Sequence, residues 1–236
     1  MIDLEKLDAS CKAFGISLDS HQLTQFDDYC RLLLEWNEKM NLTAIREPEE
    51  VLIKHFVDSL VLLSFTELPQ GAKVIDVGTG AGFPGVPFKI ARLDFKLTLL
   101  DSLNKRLVFL QAVCQSLGLD AELIHSRAEE SGKLPAFRQR YDAAVSRAVA
   151  PLNLLAEFCL PFVKVGGVFL AAKGPQGEEE LSKAANGIRL LGGQVEKVER
   201  YTLPDGSSRT LAVIRKERAT PAQYPRHGSK NAKKPL

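Results

Sequence analysis

Ten residues, Asp76-Val77-Gly78-Thr79-Gly80-Ala81-Gly82-Phe83-Pro84-Gly85, limit what this chain can fold into more than any other stretch. Four glycines in eight positions follow an apolar run, Lys73 to Val77. Glycine weakens a fold through chain entropy, so such a cluster marks backbone that must turn tightly and leave room for a ligand. A helix entered from such a loop points N–H groups and its positive dipole end at that ligand. Strand, glycine loop and helix together predict a βαβ unit and therefore a parallel sheet.

The rest of the chain repeats that alternation. Strands are predicted at Lys73–Val77, Lys96–Leu100 (ending in Asp101), Ala121–His125, Asp142–Ser146 and Val168–Ala172, the last led into by Gly166-Gly167. Helices are predicted at Gly85–Arg92, Asn104–Leu117, which stops at Gly118, Leu152–Phe162 and Glu178–Leu191. Two long β runs, Gln194–Leu203 and Arg209–Lys216, then flank the turn residues Pro204-Asp205-Gly206-Ser207-Ser208 and predict a terminal antiparallel hairpin. Before the sheet, apolar residues at helical spacing predict three helices: one through Leu4, Leu7, Cys11 and Phe14, one over Gln22–Lys39 capped by Asp19 or Ser20, and one over Glu49–Ser64. The organisation expected is an N-terminal helical cap (1–69), a catalytic α/β domain (70–217) and a basic tail (218–236).

Two ligands suit the glycine loop. Gly80-x-Gly82-x-x-Gly85 with Asp101 about twenty residues on matches the dinucleotide fingerprint, the acid gripping a ribose hydroxyl. The acid-x-Gly-x-Gly-x-Gly pattern from Asp76 to Gly82 instead matches S-adenosylmethionine binding. Three features favour the second. Asp76 stands where a carboxylate pairs, directly or through water, with a cationic amino-acid group and would repel a pyrophosphate. Pro84 removes an N–H that a pyrophosphate would use. The terminal hairpin replaces the second parallel half of a dinucleotide fold. Asp101 is then the candidate for the ribose hydroxyls, with a helix cap as its alternative; Ala128 and Glu129, after the third strand, are candidates for the adenine edge, with a solvated helix start as the alternative for Glu129.

Net charge is +2, but seven cationic residues stand against one acid from Arg215 onward, leaving an acidic body and a basic tail that suits an anionic partner. No apolar run approaches a membrane span, and the N-terminus lacks the layout of a signal peptide, so the cytosol is expected. Four scattered cysteines support neither a disulfide framework nor a zinc site and are expected to be reduced and buried; no metal is expected.

The sequence closely resembles the bacterial 16S ribosomal RNA guanine-N7 methyltransferase family, also called glucose-inhibited division protein B. The resemblance rests on Trp36-Asn37 with Asn41-Leu42-Thr43, His55-x-x-Asp58-Ser59, the glycine loop, Leu100-Asp101-Ser102 with Lys105-Arg106, Ser146-Arg147-Ala148, Lys173-Gly174 and Tyr224-Pro225-Arg226 through Leu236. It implies a class I S-adenosylmethionine-dependent methyltransferase fold, Rossmann-like, with seven mostly parallel strands. It also implies cofactor contacts at Gly78, Phe83, Ala128, Glu129 and Arg147, joining Asp76, Gly80 and Asp101 from the loop reading. The implied partner is 16S rRNA or the small ribosomal subunit, with guanine 527 as the family target; a monomer that binds no membrane is expected. Arg226-His227-Gly228 departs from the family's Arg-Pro-Gly.

Guanine N7 has a free lone pair and attacks without first losing a proton, so no general base is needed and alignment carries the reaction. Arg147 and Lys173, at the ends of strands four and five, are assigned to the base O6 or nearby phosphates, with surface charge as their alternative. His55 and Asp58 share a helix face and either meet substrate or fix the cap. The alternatives to the family activity are a methyltransferase for another RNA or small molecule and a non-catalytic RNA-binding module.

Overall fold

The computed structural model describes residues 1–147, 150–227, 231 and 234–236. Ala148 of the Ser146-Arg147-Ala148 block, and Gly228, Lys230 and Lys233 of the tail, lie outside the described residues. Seven strands form one sheet in the order β3-β2-β1-β4-β5-β7-β6. They are β1 (Lys73–Val77), β2 (Lys96–Asp101), β3 (Ala121–His125), β4 (Tyr141–Arg147), β5 (Val163–Lys173), β6 (Gly193–Thr202) and β7 (Ser208–Lys216). Only β7 runs against its neighbours, slotted between β5 and β6 as the hairpin requires.

Because side chains alternate across a sheet, each strand supplies two cores. Val74, Ala143, Val145, Leu170 and Val213 face the Asn104–Leu117 helix and the N-terminal helices, whose Leu7, Phe26, Leu33 and Phe56 join the same apolar cluster. Ile75, Ala144, Phe169, Ala171 and Ile214 face the other way, against the Leu152–Cys159 and Gly177–Leu190 helices. The same alternation decides the direction of two polar strand ends. Arg147 continues the Ala143 and Val145 row toward the N-terminal helices, and Lys173 continues the Phe169 and Ala171 row toward the Gly177–Leu190 helix.

Local chemistry sets the boundaries. Asp19 and Gln22 close a capping box on the Ser20–Met40 helix, and Gly118, at φ 63°, ends the Asn104–Leu117 helix in the left-handed region. Gly166-Gly167 does not precede β5 but lies inside it, where the register against β4 shifts between Tyr141 and Ala143. A Cβ on Gly167 would stand 2.6 Å from the Asp142 carbonyl oxygen, so this irregular crossing admits only glycine. The helical run over residues 48–65 contains a π segment, Leu52–Val57, and closes in a 3₁₀ turn, Val61–Phe65. All four cysteines are free and buried. No helix among the described residues is long and apolar enough to cross a membrane, and no cluster of His, Cys, Asp and Glu among them is arranged to hold a metal ion.

The tail from Arg218 folds back onto the body. Arg226 forms a forked ion pair with the fully buried Glu157 (Nη2 to Oε2, 2.7 Å), whose Oε1 also accepts the Arg226 N–H. Arg138 donates to the carbonyls of Thr220 and Tyr224, and Arg218 donates to the Arg189 carbonyl. Of the basic tail, Arg226 is therefore turned toward a buried carboxylate, while Arg218 stays exposed with one hydrogen bond to the body.

Candidate active site

The carboxyl ends of β1, β2, β4 and β5 open into a cavity of about 1200 Å³. Its floor is the glycine loop, where Gly78, Gly80 and Gly82 take φ values of 71°, 61° and 98°, a region that side chains with a Cβ avoid. The loop is tied to the neighbouring strand: the Gly78 and Thr79 N–H groups donate to the Leu100 carbonyl, and the Gly80 N–H donates to Asp101 Oδ2 at 2.9 Å.

Asp76 lies behind this loop. It is fully buried and is not part of the cavity wall, so direct pairing with a ligand is replaced by a bracing role. Its Oδ2 accepts from the Thr79 hydroxyl (2.8 Å) and the Gly85 N–H (2.9 Å), while Oδ1 has no partner among the described residues. Burial pushes its carboxyl up to about 6, against the pull of those two hydrogen bonds. A Cβ on Gly85 would lie 2.8 Å from that Oδ2, which is why glycine opens the following helix.

Asp101 faces the cavity at the end of β2, its two oxygens accepting from the N–H groups of Gly80 and Leu103 and from Arg106. It does not cap the Asn104 helix, whose cap position is Leu103. Ala128 and Glu129 line the same end, and Glu129, almost wholly buried, has no hydrogen-bond partner among the described residues. Phe83 forms a side wall, with the His55 ring stacked on it at 4.4 Å and 15°.

Arg147 joins the sheet to the N-terminal helices. Its Nη1 donates to Asp58 Oδ2 and to the Lys54 carbonyl, each at 3.0 Å, and its Nη2 donates to His55 Nδ1 at 3.0 Å. The guanidinium stands 5.1 Å from the Phe83 ring centroid. Since a guanidinium only donates, His55 Nδ1 accepts, and the proton on Nε2 is directed at Thr43 Oγ1, 2.9 Å away. Burial and the neighbouring Arg147 hold the imidazole far below its ordinary value, at about 3. Both ring nitrogens are committed to protein partners, and the ring lines the cavity. Asp58 is likewise committed: besides Arg147 it accepts from the Tyr201 hydroxyl and from Arg209 on β7.

Lys173 stands at the opposite end, its ammonium buried, donating to the Ala150 carbonyl and ion-paired with Glu180 Oε2 at 2.9 Å. Sequence reasoning missed Thr43, Tyr201, Arg209 and Glu180. Tyr201 and Arg209 lie more than a hundred residues from Asp58, and Glu180 sits in a Glu178-Glu179-Glu180 run that reads as an ordinary acidic helix start. Only Thr43 stood in a motif already singled out.

A six-parallel, one-reversed sheet with its glycine loop at the end of β1 is a class I methyltransferase fold. A variant of the 16S rRNA (adenine(1408)-N(1))-methyltransferase of Catenulisporales acidiphilia, solved with S-adenosylmethionine, has the same fold at a TM-score of 0.53 and 15% identity, covering 64% of this chain and 87% of that one. The family described as GidB, rRNA small subunit methyltransferase G, matches residues 22–209, and the chain belongs to it. The ribosomal RNA small subunit methyltransferase G of Alkaliphilus metalliredigens is 52% identical over 96% of this chain and 95% of its own length. That of Alkaliphilus oremlandii is 49% identical over 98% and 97%.

Proposed function

We propose that this chain transfers a methyl group from S-adenosylmethionine to N7 of a guanine in 16S ribosomal RNA, the family's guanine 527. The observation that carries this reading is one cavity with two unlike ends: the glycine loop with Asp101 and Glu129 at one, Lys173 at the other. Family membership, and relatives named as small-subunit rRNA methyltransferases, support the RNA substrate. A ribosomal substrate supports the cytoplasm as its place of work, and the enzyme is read as a monomer.

The residues present fit the cofactor. Glu129, a carboxylate without a hydrogen-bond partner among the described residues, stands beside the backbone N–H of Ala128, and the two suit the donor and acceptor of an adenine edge. Asp101 keeps lone-pair capacity for ribose hydroxyls. Gly78 and Gly80 bring bare backbone to the cavity, and Phe83 walls it. Asp76, from behind the loop, adds negative charge beneath a cationic amino-acid group. When bound, S-adenosylmethionine supplies an electrophilic methyl group on a positively charged sulfur.

The chain's own work is alignment and exclusion of water. Arg147, held by Asp58, His55 and the Lys54 carbonyl, locks the N-terminal helices over the cleft and keeps Phe83 in place. Lys173 spends one N–H on the Ala150 carbonyl and is ion-paired with Glu180, and among the described residues it keeps donor capacity for guanine O6. No residue has to remove a proton, so the commitment of both His55 nitrogens costs the reaction nothing.

Glu129→Ala tests the cofactor half of this reading, because Glu129 has no protein hydrogen bond to lose. S-adenosylmethionine affinity, measured by calorimetry, should fall about tenfold, the worth of a hydrogen bond to a charged group, with the melting temperature unchanged. Unaltered affinity would remove Glu129 from the cofactor site.

A further inference from the structure

Glu180 is a polar cavity residue to which the methyl-transfer reading gives no part in binding the base. It stands in the first turn of the Gly177–Leu190 helix, beside Lys173. Its Oε2 is fixed from two sides, accepting the Leu152 N–H at 2.8 Å and lying 2.9 Å from Lys173 Nζ. Its Oε1 has no partner among the described residues, and the side chain remains about one-third exposed, toward the cavity it lines. The two contacts on Oε2 therefore fix the direction of a carboxylate oxygen that has no partner among the described residues, next to an ammonium whose hydrogen bond goes to the Ala150 carbonyl.

A donor and an ionised acceptor side by side match one purine edge and oppose another. Guanine carries an acceptor, O6, beside a donor, N1–H. Adenine carries the reverse, an N6 amine beside an N1 acceptor. We infer that the Lys173–Glu180 pair reads the target base, the lysine donating to O6 and Glu180 Oε1 accepting from N1–H, so that Glu180 is a specificity-determining residue of this enzyme. The inference rests on the guanine-N7 reading above and names the group that selects the base. An ionised carboxylate only accepts, so adenine N1 would face it lone pair to lone pair, and a site that leaves buried polar groups unpaired rejects the wrong ligand strongly.

Charge adds a second argument. Methylation at N7 moves the positive charge from sulfur onto the purine. A lone Lys173 would repel the product as it forms. Paired with Glu180 it is neutralised, and the carboxylate on N1–H attracts the charge that develops on the ring.

The test uses unmethylated 16S rRNA carrying either guanine or 1-methylguanine at the target position, with wild type, Glu180→Gln and Glu180→Ala proteins. Wild type should methylate the guanine RNA about ten- to a hundredfold faster, in kcat/KM, than the 1-methylguanine RNA, the range of one well-placed base contact. Glu180→Gln turns an amide N–H toward N1–H once its oxygen serves Leu152 and Lys173, and should lose a similar factor on guanine with unchanged S-adenosylmethionine affinity. Glu180→Ala should treat the two RNAs nearly alike. Equal rates of wild type on both RNAs, an experiment independent of any variant's folding, would overturn the inference, as would a Glu180→Gln protein with wild-type kcat/KM. Absence of transfer to the guanine RNA by wild type would instead defeat the underlying reading.

Discussion

His55 stays neutral far below the pH at which a free imidazole gains its proton, because it is buried beside a guanidinium and its Nδ1 lone pair is taken by Arg147. Unfolding lets it protonate near its ordinary value of 6.5. Its contribution to stability is therefore full above 6.5 and is lost as pH falls toward 3. Asp76 has the opposite sign: with its carboxyl raised to about 6, its contribution is lost as pH rises through that value. The two partly cancel in a wild-type curve, so the imidazole is isolated by a variant. In urea titrations, the stability of wild type relative to His55→Gln should fall by at most about 2 kcal/mol between pH 7 and pH 5. A pH-independent difference would mean that His55 accepts a proton in the folded protein.

At the scale of elements, the π segment Leu52–Val57 and the tail are the features that join separate parts. The π segment offers the Lys54 and His55 carbonyls to Arg147, and Asp58 just beyond it gathers Arg147, Tyr201 and Arg209. The tail closes on Glu157 through Arg226. Arg226→Ala strands a fully buried carboxylate and should cost about 3–5 kcal/mol, while Arg226→Ala with Glu157→Met should recover most of that loss. The double variant should bind RNA with an unchanged salt slope, because Arg226 is occupied by Glu157; a slope shallower by roughly 0.7–0.9 would show that Arg226 meets phosphate.

Strands buried on both faces read as apolar runs, and caps such as Asp19 and Gly118 mark helix ends, so the order of elements was legible from residues alone. The glycine-loop end of the cavity was legible for a similar reason: Asp76 to Gly85 is contiguous, and Asp101 follows at the next strand end. The Arg147 junction was not, because Asp58, Tyr201 and Arg209 meet only after the hairpin and the N-terminal helices pack together. Nor was the inward turn of Arg226, since nothing in a charge count marks Glu157 as buried. Gly166-Gly167 misled as a strand boundary because a bulge and a turn use glycine for the same conformational reason.

For the whole molecule, the N-terminal helices and one face of the sheet share a single apolar cluster running from Leu7 and Phe26 to Val145 and Val213. Cutting between residues 69 and 70 would expose that face to water. A 70–236 fragment should be insoluble or lack a cooperative melting transition, and a soluble fragment with a sharp transition would show that the sheet closes its core without the cap. The same packing puts Arg147, Phe83 and His55 at the seam, so the glycine-loop end and the Lys173 end of the cavity belong to one folded unit.

The central claim is that this cavity aligns guanine N7 with a methyl donor and uses no general base. It is tested most directly by methylating 16S rRNA from a strain lacking the gene with labelled S-adenosylmethionine and identifying the labelled nucleoside by mass spectrometry. The account predicts 7-methylguanosine, about one per 16S molecule, with a single-turnover rate that shows no step between pH 6 and pH 8. Label on an exocyclic amine or on N1, positions that must shed a proton, would contradict it.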